Sequence, residues 1–355
     1  MLKRVEIHRF RCLHAVELPF NERYNLIIGA NGSGKTSLLE ALFFLGRGRS
    51  FRLRRTERLI QSGHKDFTLF GEVQAGELAT PVGVGFHGTD GVQIRIAGQK
   101  ASSVAELSGH LAPHIIDPEI HKLLEEGPHR RRRFMDFGVF HVEPLFLDGW
   151  YRYHRCLKQR NAALKSPDVG AIRSFEPELI EQGQKLHAYR QAYLARLRPE
   201  LAHFGQRLLG MSVDIAHQCG WSQDFSLAQA IEHSLERDMR FKLTHVGPHR
   251  ADISLSVAGV PAKERVSRGQ QKLLAAALTL AQLRLIEADN PGRSVLLLDD
   301  PAAELDADNL AKLMDLVREL AVQTFVTALS PQDAVWPGQG AMFHVEQGQV
   351  ISATP

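Results

Sequence analysis

Long apolar runs are missing from this chain of 355 residues. No stretch approaches the roughly 18 consecutive apolar residues that a membrane-spanning helix needs. The opening MLKRVEIHRFRC has no apolar signal region either, so the sequence argues against secretion or membrane insertion and predicts a cytoplasmic protein. Cysteine is scarce. Cys12, Cys156 and Cys219 share no metal-ligand spacing, which excludes a disulfide framework and a cysteine-based zinc site. The 17 histidines are scattered. His110 and His114 are four apart, but Pro113 between them is incompatible with a helical metal-binding pair. Charge of one sign is not in large excess: 43 Lys and Arg face 40 Asp and Glu, a net charge of +3. That balance is compatible with a nucleic-acid partner and by itself argues little for one. Aromatic and basic residues do not interleave as in a single-strand stacking platform. Internal repeats and low-complexity segments are also lacking.

What is present has a clear order. LKRVEIHRF, HAVELPF and YNLIIG read as short strands, as do FTLFGEVQA, PVGVGFHG and VQIRIAG further on. Between the two sets, TSLLEALFFLG has helical spacing, and Gly46 is expected to end that helix. From about Ser103 the texture turns helical and charged, and EPELIEQGQKLHAYRQAYLARLRPELAHFGQRLLG suggests one arm of a helix pair. Strand texture returns at ADISLSVAGV. SVLLLDD, ADNLAKLMDLVRELA and TFVTAL then alternate strand, helix and strand, as a parallel sheet requires. The expected fold is α/β: one discontinuous lobe from residues 1–102 and 246–355, with a mainly helical lobe, 103–245, inserted.

The strongest local signal is the phosphate loop. Gly29, Ala30, Asn31, Gly32, Ser33, Gly34, Lys35 and Thr36 match G-x-x-x-x-G-K-[ST], with an apolar strand before and an amphipathic helix after. Glycines let successive backbone N–H groups curl round phosphate. Lys35 supplies a charge for the β- and γ-phosphates, and the Thr36 hydroxyl suits Mg²⁺. The pattern predicts ATP and Mg²⁺ as ligands. Near the other end, Asp299 follows a fully apolar strand and is placed to hold the metal opposite Thr36. Asp300 next to it is the candidate to polarise an attacking water. The competing reading is that both aspartates cap the following element. A third segment, VSRGQQK, precedes a long apolar helix. Ser267 is either a simple helix N-cap or part of a nucleotide-facing signature.

GANGSGKT, SRGQQK, LLLDDPAAELD and the inserted helical lobe together resemble the ABC-type ATPase heads. Among these the chain looks closely similar to the RecF family of bacterial recombination-repair proteins. The likeness runs nearly end to end and is most specific in LKQRNAALK, GPHRAD and DDPAAELD. The resemblance implies that Ser267, Gly269 and Gln270 form the ABC signature, with Arg268 where transporters have Gly. It implies that Asp299 is the Mg²⁺ carboxylate, Asp300 and Lys35 the catalytic pair, and Asp306 part of a loop at a dimer interface. The signature of one copy then caps the ATP of a second, so that ATP builds a homodimer, the dimer grips DNA, and hydrolysis releases it. A family of this kind acts in the DNA-damage (SOS) response at gapped DNA or junctions of single- and double-stranded DNA, with RecR and RecO, to help load RecA.

Three departures from the ABC pattern predict slow hydrolysis. Asp300 stands where most relatives have Glu. No histidine follows TFVTAL, leaving Thr327 or Ser330 as switch candidates. No clear glutamine marks the lobe junction, leaving Asp117 or Glu119. Residues 121–165 hold ten Lys or Arg against five acids, with the run Arg130, Arg131, Arg132 and Arg133. Such a set suits duplex phosphates, or equally pairs inside the protein. The runners-up are an energising subunit of a membrane transporter and a small-molecule P-loop kinase; the kinase leaves SRGQQK unexplained, and the transporter leaves the missing histidine.

Overall fold

The computed structural model describes all residues except 77, 89, 336–338, 354 and 355. In chain order it runs β1 (Leu2–Phe10), β2 (Leu13–Pro19), β3 (Tyr24–Ile28), α1 (Lys35–Arg47), β4 (Asp66–Ala75), β5 (Leu78–His87), β6 (Gly91–Ile96), β7 (Gln99–Lys100), α2 (Val104–His110) and β8 (Ala112–Ile116). The middle comprises α3 (Lys122–Glu125), α4 (Pro128–Val142), α5 (Phe146–Ala163), α6 (Val169–Arg173), α7 (Glu176–Leu209), β9 (Val213–Gln218), α8 (Leu227–Phe241), β10 (Asp252–Val257), β11 (Val260–Pro261) and α9 (Ala262–Arg265). The chain ends with α10 (Arg268–Asp289), β12 (Ser294–Leu298), α11 (Pro301–Glu304), α12 (Ala307–Leu320), β13 (Gln323–Ala328), β14 (Ala341–Glu346) and β15 (Gln349–Ala353).

The chain divides into two compact units, Met1–Ile120 with Ile286–Pro355, and His121–Leu285. These limits differ from the expected 102/103 and 245/246, and strand pairing is the reason. β8 adds in parallel to β12 and draws residues after 102 into the first unit. β10 pairs with β9 and keeps residues after 245 in the second.

The first unit holds two sheets. One is antiparallel, in the order β2-β1-β4-β5-β6-β7. The other, β15-β14-β3-β13-β12-β8, is parallel from β14 to β8, with β15 antiparallel at its edge. β12 and β13 are buried at every position, as strands covered on both faces must be, whereas β1 buries one face only. One core joins Val5, Ile7 and Phe67 of the first sheet, Leu38, Leu42 and Phe44 of α1, and Leu297, Phe325 and Phe343 of the second. α1 runs past Gly46 to a left-handed Gly48 at φ 58°. Gly46 serves packing instead: a Cβ there would lie 2.4 Å from Pro113 of β8.

The second unit is mainly helical, as expected, and carries the three-stranded sheet β11-β10-β9. α7 extends over 34 residues through Pro199 and packs along α5. The family-specific blocks build its polar interior. Arg160 of LKQRNA is fully buried and donates to Glu176 (3.0 Å), Asp238 (2.8 Å) and Thr244 (2.8 Å). Arg190 grips Asp136 (2.8 and 3.0 Å) and donates to the Pro248 carbonyl (2.7 Å). His249 of GPHRAD lies 2.7 Å from the Tyr153 hydroxyl and 3.0 Å from the Thr244 carbonyl. Buried charges of this kind persist only when paired and hydrogen-bonded.

Candidate nucleotide site

The site is assembled at the carboxyl ends of four neighbouring parallel strands of the first unit. Register sets Ala328 of β13 beside Ile28 of β3, and Leu298 of β12 beside both Val326 and Ile116. The phosphate loop leaves β3, Asp299 leaves β12 and Asp117 leaves β8, so these groups emerge at one sheet edge, where open α/β sheets bind ligands.

Sterics shape the loop. Gly29, Gly32 and Gly34 have φ of 154°, 77° and 123°. A Cβ on Gly29 would come within 2.3 Å of the Val345 carbonyl of β14. Ala30, Asn31 and Gly32 are exposed at the loop's crest, while the buried Ser33 hydroxyl has no hydrogen-bond partner. α1 starts at Lys35, which aims its positive N-terminal end at an anion in the loop. Lys35 Nζ donates to the carbonyls of Gly29 (2.6 Å) and Ala30 (3.0 Å). Burial pulls its pKa down, against the opposing charges of Asp300 and Asp299.

Thr36 Oγ1 lies 2.9 and 3.2 Å from the two carboxylate oxygens of Asp299. Burial pushes the Asp299 pKa up; hydrogen bonds from Thr36 and Thr327 and the charges of Arg52 and Lys35 work against it. Asp300 is likewise pushed up by burial and held back by Lys35. It sits at φ 49°, left-handed, a strained conformation for a residue with a Cβ. It occupies the N-cap position of α11, yet its side chain makes no capping bond, so capping does not account for it. Thr36 and Asp299 offer only oxygen donors, the set that suits Mg²⁺ with waters and phosphate completing the shell. No cluster of three or more His, Cys, Asp or Glu able to hold a metal occurs among the described residues, which fits a cation held partly by its nucleotide.

Thr327 has a different place from that of a switch residue. It is fully buried, accepts from the Asp300 N–H (2.8 Å) and lies 3.1 Å from Asp299 Oδ1. It is a strut fixing both aspartates. Ser330 donates to Asp333 (2.7 Å). Asp117 accepts from the Glu119 N–H (3.1 Å). Asp306 caps α12 through Asn309 (2.9 Å) and is exposed.

Several neighbours of the loop escaped the motif search. Cys12, in the β1–β2 turn, has its Sγ 3.0 Å from where a Gly34 Cβ would be. Gly348, between β14 and β15, donates to the Ser33 carbonyl (2.9 Å) and admits no Cβ, because the Cys12 carbonyl would be 2.1 Å away. Glu40 of α1, fully buried, accepts from Arg11 (2.9 Å) and Ser50. Ser50 in turn caps the N–H groups of Arg52 (2.9 Å) and Leu53 (2.8 Å). The only sequence signals were the alternation in AMFHVEQGQVISA and the arginines after α1.

The signature segment belongs to the second unit. The Ser267 N–H donates to Gln270 Oε1 (2.9 Å), and the Gln270 N–H to Ser267 Oγ (3.3 Å). This is a reciprocal capping box at the start of α10. Ser267 and Gly269 are exposed, and a Cβ on Gly269 would meet nothing within 4 Å.

The basic run is largely turned inward, which corrects its reading as a phosphate-facing set. Arg131 is buried and grips both oxygens of Asp252 at 2.8 Å. Arg132 donates to the Ala251 carbonyl (2.7 Å). Arg130 pairs with Glu126 one turn back, and Arg133 is exposed.

Residues 1–335 match the family described as the RecF/RecN/SMC N terminal domain. The chain is 39% identical to the DNA replication and repair protein RecF of Pseudomonas paraeruginosa, over 99% of this chain and 98% of that one. It is 36% identical to RecF of Shewanella frigidimarina, over 98% of both. Among solved structures it is similar to the recombination mediator RecF with ATP, with a TM-score of 0.89, 27% identity, and coverage of 99% and 97%. An SMC head bound to the C-terminal winged-helix domain of ScpA matches at a TM-score of 0.61 and 17% identity, which speaks for the fold alone.

Proposed function

The chain belongs to the RecF family of DNA replication and repair proteins, and from that premise we propose that it is an ATP-gated DNA clamp. The observation that carries the proposal is the Thr36–Asp299 pair at 2.9 Å beside the phosphate loop. Thr36 and Asp299 would hold Mg²⁺, which supplies charge neutralisation for the phosphates. Lys35 exchanges its loop carbonyls for phosphate oxygens. Asp300, held by Thr327, orients the attacking water. It is one methylene shorter than glutamate, and slow turnover follows.

The exposed capping box Ser267–Gln270 suits the cap on a second copy's nucleotide. Its hydroxyl and the N-terminus of α10 face outward, and Gly269 offers close backbone approach. The γ-phosphate is then the contact that differs between open and closed states. DNA, as duplex or at junctions with single strands, is the partner gripped. RecR and RecO are the partners expected from the pathway in which the similar RecF structures are placed. DNA stimulation of the weak ATPase and a cytoplasmic location complete the proposal. No helix among the described residues is long and apolar enough to cross a membrane.

Sedimentation with and without a slowly hydrolysed ATP analogue tests it. The wild type should shift from monomer to dimer, and Ser267→Arg should bind nucleotide yet stay monomeric. No ATP-dependent mass change in the wild type would sink the capping model.

A further inference from the structure

Two blocks that carry the family likeness, the arginine run and GPHRAD, are not used by the nucleotide site. They meet at the start of β10. Arg131 clamps Asp252 and also donates to the carbonyls of Leu124 (3.1 Å) and Glu126 (2.6 Å), while Arg132 holds the carbonyl of Ala251. The strand so anchored has an open edge. β9 pairs with it from Asp252 to Val257, but on the other side β11 covers only Ser256 and Val257.

The direction of the main-chain groups follows from alternation. The Ala258 N–H donates to Ser212 (2.8 Å) on the β9 side. Val257, Leu255 and Ile253 therefore point their N–H and C=O groups the opposite way. The Ile253 N–H is met by its neighbour's carboxylate, Asp252 Oδ1, at 2.8 Å. At Leu255 the β11 ladder has ended, because Pro261 has no N–H and the chain turns into α9.

This edge opens into a half-open groove of about 510 Å³ whose apolar walls are Leu124, Ile253, Leu255, Pro261, Ala262 and Val266. Gln271 also lines it, and its Oε1 is buried without a hydrogen-bond partner. Arg131 and Asp252 neutralise each other, so Glu125 and Glu264 outweigh Lys263 among the remaining charges.

We propose that this groove docks an extended segment of a partner protein, which adds as a strand to β10 at Leu255. The segment sets an apolar side chain against Leu124 and Val266 and a basic one against Glu125 and Glu264. Main-chain pairing supplies the affinity and the groove the side-chain preference, the division of labour in strand addition. An acidic segment meets the two carboxylates and is disfavoured.

The probe is a fluorescein-labelled peptide, Lys-Val-Thr-Val-Lys-Val, with a second version N-methylated at alternate residues. Fluorescence polarisation of the full chain should rise saturably with the first. Methylation, which removes the main-chain donors and keeps the side chains, should weaken binding about tenfold, the worth of one to two hydrogen bonds. Amide exchange at residues 253–255 should slow only with the unmethylated peptide, and Glu264→Lys should weaken its binding several-fold. No binding up to about millimolar peptide, equal binding of the methylated version, or protection elsewhere in place of 253–255 overturns the proposal.

Discussion

Cys12 shows how much a single side chain reports here. It is exposed while Cys156 and Cys219 are buried, and it leans on Gly34 with Ser37 Oγ 3.5 Å away. A maleimide should therefore label Cys12 first in the native protein, and ATP should slow that labelling. Labelling blind to nucleotide would remove Cys12 from the wall of the site. Arg131 makes the opposite point. Counted by type, it belonged to a nucleic-acid surface; its burial and its two 2.8 Å bonds to Asp252 make it an internal strut. Arg131→Met should cost about 3 kcal/mol of stability, the scale for stranding one partner of a buried pair, as read by chemical denaturation. Loss of DNA affinity without loss of stability would restore the surface reading. Asp300 is legible as a carboxylate beside Asp299 in the sequence, but its left-handed backbone and its tie to Thr327 are not. Asp300→Asn should leave ATP binding intact and abolish turnover, prolonging the dimer; unchanged turnover would end its catalytic role.

Among elements, α7 and β9 meet at a histidine pair. His187 of α7 and His217 of β9 stack at 5.1 Å, with Trp221 against His187. Burial first, then His187 and Arg190, pull the His217 pKa from 6.5 to about 4. His187 is lowered by burial and Arg190 as well. The unfolded chain thus binds a proton near pH 6.5 that the folded chain refuses until about pH 4. The stabilisation is full above 6.5 and drains as pH falls through that window. His249, also lowered to about 4 chiefly by burial, adds in the same direction. Thermal melts should show Tm falling between pH 6.5 and 4, and His217→Phe should flatten that fall. An unchanged acid profile in the variant would disprove the assignment to His217. Element identity itself was largely readable, because β1, β4, β12 and α12 carry clean periodicity. β8, β14 and β15 were not, since short edge segments gain their definition from the strands beside them.

For the whole molecule, the clamp reading makes two events inseparable, nucleotide-driven pairing of copies and retention of DNA. Duplex affinity should fall steeply with salt, as phosphate contacts require, and rise with ATP on gapped DNA. Equal affinity with and without nucleotide at every salt would separate the two events and leave a nucleotide-binding protein that does not clamp.

The sequence by itself determined the phosphate loop, the Asp299–Asp300 pair, the α/β class and the inserted helical unit. Each is written in contiguous residues whose spacing is a local property of strand, loop or helix. Tertiary structure alone decided where the units divide, that Arg131 and Arg132 serve β10, that Thr327 braces the aspartates, and that Cys12 and Gly348 wall the loop. These depend on which strands become neighbours and which groups lose water, and residues hundreds of positions apart acquire those relations only when the chain is packed.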